Sequence, residues 1–148
     1  MDFKELIADF AERHAVENLA ADGNAAALDI DGIIVTLVAA DDVVSISAEI
    51  GEPPSDGKGD FAELLLESNL QSESFFAKEH DSNVYVMVRR LSLPTLEGET
   101  FDAVLESFVN LVETWRTLLS DFRPVAAAAA ASEAQEAPAF GTNGFVQV

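Results

Sequence analysis

Asp29, Asp31 and Gly32 stand together in the run LDIDGIIVTL. Two carboxylates at this spacing, closing an apolar stretch, can divide a phosphoryl transfer between them: one attacks phosphorus and the other moves the proton. The same pair could open a calcium loop, whose further oxygen ligands would run to a glutamate at the twelfth position. His14 and His80 are the two imidazoles of the chain, Arg89 and Arg90 form an adjacent basic pair, and GKGD at 57–60 places a lysine between glycines. These are the side chains with chemistry to offer.

Each is limited by its neighbours. Asp-x-Asp-Gly resembles the nucleophile motif of haloacid-dehalogenase-type phosphatases, but Ile33 stands where that motif continues with threonine. The chain also has no room for the further βα units that carry that family's lysine and magnesium-binding carboxylates. Asp-Gly between two apolar runs is the expected pair of a two-residue hairpin turn, which needs positive φ at both positions. Strand-like residues follow at once, so a calcium loop has no continuation. Neither histidine has a second His or Cys at ligand spacing, and no motif places either beside a serine. GKGD lacks the glycine spacing and the Lys-Ser/Thr pair of a phosphate loop. Adjacent on a strand, Arg89 and Arg90 point to opposite faces and are expected to pair with carboxylates. No catalytic residue, metal or cofactor is therefore expected, and the chain reads as a non-enzyme.

The elements that position these residues follow from periodicity. Phe3, Leu6, Ile7 and Phe10 recur at helical spacing, predicting an amphipathic helix over 2–20. Runs at 25–30, 33–38 and 43–50, separated by Asp31-Gly32 and Asp41-Asp42, predict an antiparallel meander. GEPPSDGKG is a loop. Asp60 and Glu63 have capping-box spacing ahead of a short helix ending near Leu70. Residues 75–79 and 84–91 form a second hairpin around His80–Asn83. Phe101, Val104, Leu105, Phe108, Leu111, Val112, Trp115, Leu119 and Phe122 keep the helical rhythm for six turns, stopping before Pro124. The fold class is α+β, an antiparallel sheet with elements in the order α-β-β-β-α-β-β-α. Residues 1–124 form one domain, and 125–148 an alanine-rich linker with an apolar tail.

Charge narrows the partners. Asp plus Glu outnumber Lys plus Arg 27 to 8 in 148 residues, a formal charge of -19, which disfavours nucleic acid and anionic membranes. Cysteine is absent, as suits a reducing compartment. The opening MDFKELIADF has no continuous apolar core, so no signal peptide is expected, nor is there an 18-residue apolar run. A cytoplasmic protein is expected. In 33–38 only Thr36 is polar: Ile33, Val35 and Leu37 share one face, Ile34 and Val38 the other. The long helix covers one face; the first helix, a second subunit or a ligand must cover the other.

The stretches FKELIADFAE, LDIDGIIVTLV, GDFAELLLESNL and TFDAVLESFVNLVETWRTLL, in this element order and in a small acidic chain, resemble the class I type III secretion chaperones, the Tir chaperone family. The resemblance spans residues 3 to about 122. It implies a homodimer that holds an extended N-terminal segment of a secreted effector in the bacterial cytoplasm, without ATP. The cargo would add strands to sheet edges and lay apolar side chains in patches, a form of β-augmentation. By position, the resemblance assigns partner binding to Phe3, Leu6, Ile7, Phe10, Ile33, Val35 and Leu37. It assigns the dimer interface to Phe61, Leu64, Leu65, Phe75 and Phe76. The alternative keeps the fold with folded regulators as partners, as in YbjN-type domains. The tail departs from the family pattern, and Phe140, Phe145, Val146 and Val148 could occupy the cargo site of the chain's own body.

Overall fold

The computed structural model describes residues 2–16 and 20–123. Helix α1 (Phe3–His14) opens on a reciprocal cap: the Asp2 carboxylate accepts the Glu5 N–H, and the Glu5 carboxylate accepts the Asp2 N–H, each at 2.9 Å. It closes at Ala15, which is left-handed (φ 48, ψ 49) and donates its N–H to Ala11 O. The helix expected to reach residue 20 is thus shorter, because apolar periodicity reports the buried face and not a left-handed stop.

Four strands follow: β1 (Ala20–Asp22), β2 (Ala25–Ile30), β3 (Ile33–Ala40) and β4 (Val43–Gly51). β1 is an addition to the expected meander; its sequence, Ala-Ala-Asp, has none of the β-branched residues that announce a strand. Asp31 and Gly32 both take positive φ, 53 and 86, with Ile30 facing Ile33 across the turn. The Asp29 carboxylate accepts the Gly32 N–H at 2.9 Å. The Asp-x-Asp-Gly motif therefore builds a hairpin turn.

Helix α2 (Lys58–Asn69) starts two residues before the expected cap. Gly57, at φ 77, is its N-cap without a side-chain bond, and Asp60 lies in the first turn. Strands β5 (Ser74–Lys78) and β6 (Tyr85–Ser92) form the second hairpin, and α3 (Gly98–Ser120) the long last helix. Asn69 joins α2 to β5: its amide oxygen accepts the Phe76 N–H at 2.7 Å, and its amide nitrogen donates to Phe76 O at 3.3 Å.

All six strands pair antiparallel in the order β1-β2-β3-β4-β6-β5, so β6 returns beside β4 and leaves β1 and β5 as edges. The three helices share one face of the sheet and close a single core containing Leu28, Val35, Leu37, Ile46, Met87, Phe101 and Phe108. The first helix thus joins the long helix on the same side: Phe10 meets Phe101 edge-on at 5.5 Å between ring centroids. Arg13 fastens this contact, pairing with Asp9 on α1 and with Asp102 on α3, while His14 Nε2 lies 2.9 Å from the same Asp102 oxygen. Burial pushes the Asp102 carboxyl up, and its bonds to Arg13 and His14 more than reverse this, holding it below its ordinary value.

Candidate partner-binding site

Strand alternation sends every second side chain of the sheet away from the helices. In β3 the inward row is Ile33, Val35, Leu37 and Ala39, all buried; the outward row is Ile34, Thr36, Val38 and Ala40, all exposed. The register extends the outward row across Val43, Ser45, Ser47 and Glu49 of β4, which face Ser92, Arg90, Val88 and Val86 of β6. Ile34 is 52% exposed, Val38 46% and Val43 40%. Among these positions only Glu49 and Arg90 are charged, in a chain where 24% of residues are. Through β2 and β1 the same row continues to Ala27, Ala25, Asp29 and Asp22, so the open face joins small and β-branched side chains over its central strands with a few charges toward its margins.

This changes the assignment of the expected partner-binding residues. Phe3, Leu6, Ile7 and Phe10 on α1, with Ile33, Val35 and Leu37 on β3, are at most 6% exposed. The structure does bring them together, but as members of one buried core. They offer no open surface. The free apolar row is the other parity of the same strand, Ile34 and Val38, continued by Val43. Alternation in the sequence separates the two rows, yet which one the helices take depends on their all packing on one side.

The sheet is irregular around the end of β4. β3 and β4 pair from Ala40↔Val43 to Thr36↔Ser47, leaving Ile33–Val35 and Ala48–Ile50 outside the register. A cavity of about 540 Å³ opens in this split, lined by Gly32, Ile34, Thr36, Ser47, Ala48, Glu49, Glu79, Val86 and Arg116. Arg116 reaches it from α3 and donates through Nε to Glu49 O at 2.9 Å. Val86 and the nearby Gly51 belong to a register shift between β4 and β6.

A second apolar surface lies on α2. Of the residues assigned to a dimer interface, Phe61, Leu65 and Phe76 are buried, while Leu64 and Phe75 are half-buried. Phe61 is held edge-on by Phe122 at 5.0 Å and by Trp115 at 6.4 Å, so it belongs to the body of the domain. The exposed apolar side chains of this helix are Leu66, 65% exposed, and Leu70, 88% exposed. Leu66 lies on a groove of about 480 Å³ between α2 and the β5–β6 hairpin, with Lys58 and Lys78 on its rim and Tyr85 in its lining. Burial raises the Tyr85 phenol above its ordinary pKa. Leu66 and Leu70 were hidden in the sequence because LLLESNL shows several leucines in succession, and periodicity alone does not say which face the outer ones take.

The remaining reactive side chains have plain roles. Arg89 pairs with Glu73 at 2.6 Å, and Arg90 lies over the Phe75 ring, 5.3 Å from its centroid. Among the described residues no group of three or more His, Cys, Asp and Glu could hold a metal ion, and no helix is long and apolar enough to cross a membrane. Phe140, Phe145, Val146 and Val148 lie outside the described residues.

The sequence profile described as the Tir chaperone protein (CesT) family matches residues 5–116. Among curated proteins no sequence matches the chain. Among solved structures, the chain is similar to the Yersinia pestis type III secretion chaperone SycH, in complex with a stable fragment of YscM2. The two share 18% identity and a TM-score of 0.63, over 77% of this chain and 99% of that one. It is also similar to a chain of the ExsC–ExsE complex, at 20% identity and TM-score 0.66 over 78% and 91%. A chain of the HopA1–SchA chaperone–effector complex aligns at 16% identity and TM-score 0.64 over 78% and 93%. At these identities the structures speak for the fold.

Proposed function

The chain belongs to the Tir chaperone protein (CesT) family, and from that premise we propose that it is a non-enzymatic chaperone holding an extended N-terminal segment of a type III secreted effector in a secretion-competent form in the bacterial cytoplasm. The observation that carries the proposal is the open outer face of the central strands, with Ile34, Val38 and Val43 exposed in a chain of formal charge -19. A partner in extended form can use this face in two ways. Its backbone can add to the free edges at β1 and β5, and its alternate apolar side chains can lie against the outward rows. Neither step needs a nucleophile, a metal or a nucleotide.

The same reading makes the protein a homodimer, associated through the outer side of α2. Leu66 and Leu70 are its apolar contacts, and Leu64, Phe75 and the groove above Leu65 and Phe76 continue them. Phe61 supports this surface from beneath. Two copies would then present two sheet faces to one segment, which raises avidity without a new contact.

A pull-down of the tagged full-length protein from its native cytoplasm, followed by limited proteolysis and mass spectrometry, tests the function. One dominant partner, protected over an N-terminal stretch of tens of residues, is the expected result. Recovery of folded regulators, protected nowhere in particular, would overturn it and favour the YbjN-type alternative.

A further inference from the structure

The open sheet face, the split in it and the chain's own last residues converge on one occupant. Residues 137–148, APAFGTNGFVQV, have no charged side chain, so they approach a body of formal charge -19 with less repulsion than an acidic segment would meet. Within them Phe145, Val146, Gln147 and Val148 alternate in the manner of a strand with one mixed and one β-branched face. The last turns of α3 run beside the end of β4 that borders the split. Arg116 lines its cavity and bonds Glu49 O, and a Cβ placed on Gly51 would lie 2.9 Å from Leu119. Phe122 packs on Phe61, three residues before position 125. Sixteen residues, 124–139, then separate the body from Phe140; fully extended they span roughly 50 Å, against a radius of gyration of about 14 Å for a domain of this size. The tail is long enough to reach the split.

We propose that the segment Phe140–Val148 is an internal ligand of the split between β3 and β4, seated against Ile34, Thr36 and Ser47 of the chain's own sheet. It offers backbone to the strand residues left outside the β3–β4 register, and side chains to Ile34, Ala48 and Val86 in a cavity of about 540 Å³ that Glu49, Glu79 and Arg116 also line, a size within the range of ~300–1,000 Å³ that takes a small ligand or a few side chains. Tethering sets its effective concentration on the order of millimolar. In consequence it rests on the same face that the chaperone reading gives to cargo, and deepens that reading into a regulated one: cargo binds by displacing the tail.

The absence of cysteine makes the test direct. Two full-length variants are compared, Val146→Cys with Thr36→Cys in the split, and Val146→Cys with Ser107→Cys on the outer side of α3, both oxidised with copper–phenanthroline in dilute solution. Circular dichroism of the reduced forms verifies that each is folded. A monomeric cross-link at least several-fold faster for the Thr36 pair than for the Ser107 pair is expected. Equal rates, or cross-links found only between chains, would overturn the proposal. This readout needs no cargo, so it stands or falls separately from the pull-down. Where a cargo segment is in hand, Phe145→Asp with Val146→Asp in the full chain should bind it about tenfold more tightly; unchanged affinity would show that the tail does not compete.

Discussion

The two faces of the sheet are built from the same strands and obey opposite rules. The inner face of β3 and β4 is Ile33, Val35, Leu37, Val44 and Ile46, closed by three helices and by the rings of Phe101 and Phe108. The outer face alternates with it residue by residue, is nearly as free of charge, and has no helix on it. Apolar side chains inside stabilise the fold by roughly 1.5–3 kcal/mol each. Those outside contribute little to the fold of the single chain, and the proposed function gives them a role. The lesson is that low charge identifies an interface only after the core has been located.

Substitutions can separate the faces. Phe108→Ala, at a position 1% exposed, should cost about 3–5 kcal/mol in urea unfolding, the largest effect expected. Asn69→Ala removes both bonds to Phe76 and leaves a half-buried N–H unsatisfied; a loss of about 1–3 kcal/mol should follow, with faster hydrogen exchange in β5. The Arg13–Asp102 contact between α1 and α3 should show a pH signature. Because the Asp102 carboxyl is held below its ordinary value, its stabilisation is fully present above the unfolded carboxylate pKa of about 4 and is lost as pH falls through the lowered folded value. Melting temperatures of wild type and Asp102→Asn should therefore differ at pH 6 and converge in acid. Smallest in stability, and sharpest for the comparison, is Val38→Ser on the outer face. It should change unfolding free energy by no more than about 0.5 kcal/mol while weakening capture of an extended partner. A loss as large as that of Phe108→Ala would mean that the outer face belongs to the core. For the proposed dimer, Leu66→Asp with Leu70→Asp should likewise leave the fold intact and shift light scattering from dimer to monomer; a wild type that already scatters as a monomer would overturn that assembly.

Much of this was legible in local pattern. The rhythm from Phe101 to Leu119 gave α3, and Asp31-Gly32 gave the β2–β3 turn, because both signals depend on near neighbours alone. Boundaries set by backbone conformation were not legible: Ala15 ends α1 with a left-handed residue of the best helix-forming type, and Gly57 caps α2 where Asp60 had the familiar spacing. The candidate site was half legible. The sequence separated Ile33, Val35 and Leu37 from Ile34 and Val38, but the choice between them is made by α1 and α3 packing on the same side, a contact between residues some ninety positions apart in Phe10 and Phe101.

The strand order β1-β2-β3-β4-β6-β5 also has a consequence in time. The first four strands join neighbours through short turns, so little loop-closure entropy opposes their pairing. β6 must instead return to β4 across a whole helix and another strand, and the long α3 can seat fully only on the completed sheet. Trp115 marks that late event, since it packs on Phe76 at 4.7 Å and on Phe61 at 6.4 Å, both of which follow the first four strands. In refolding, the amides of β2 and β3 should gain protection before the fluorescence of Trp115 settles, and simultaneous change would mean that the two halves form as one unit. A chain that folds in this order forms its first four strands as a young sheet before α3 closes over them, so the outer face takes shape while the core behind it is still incomplete.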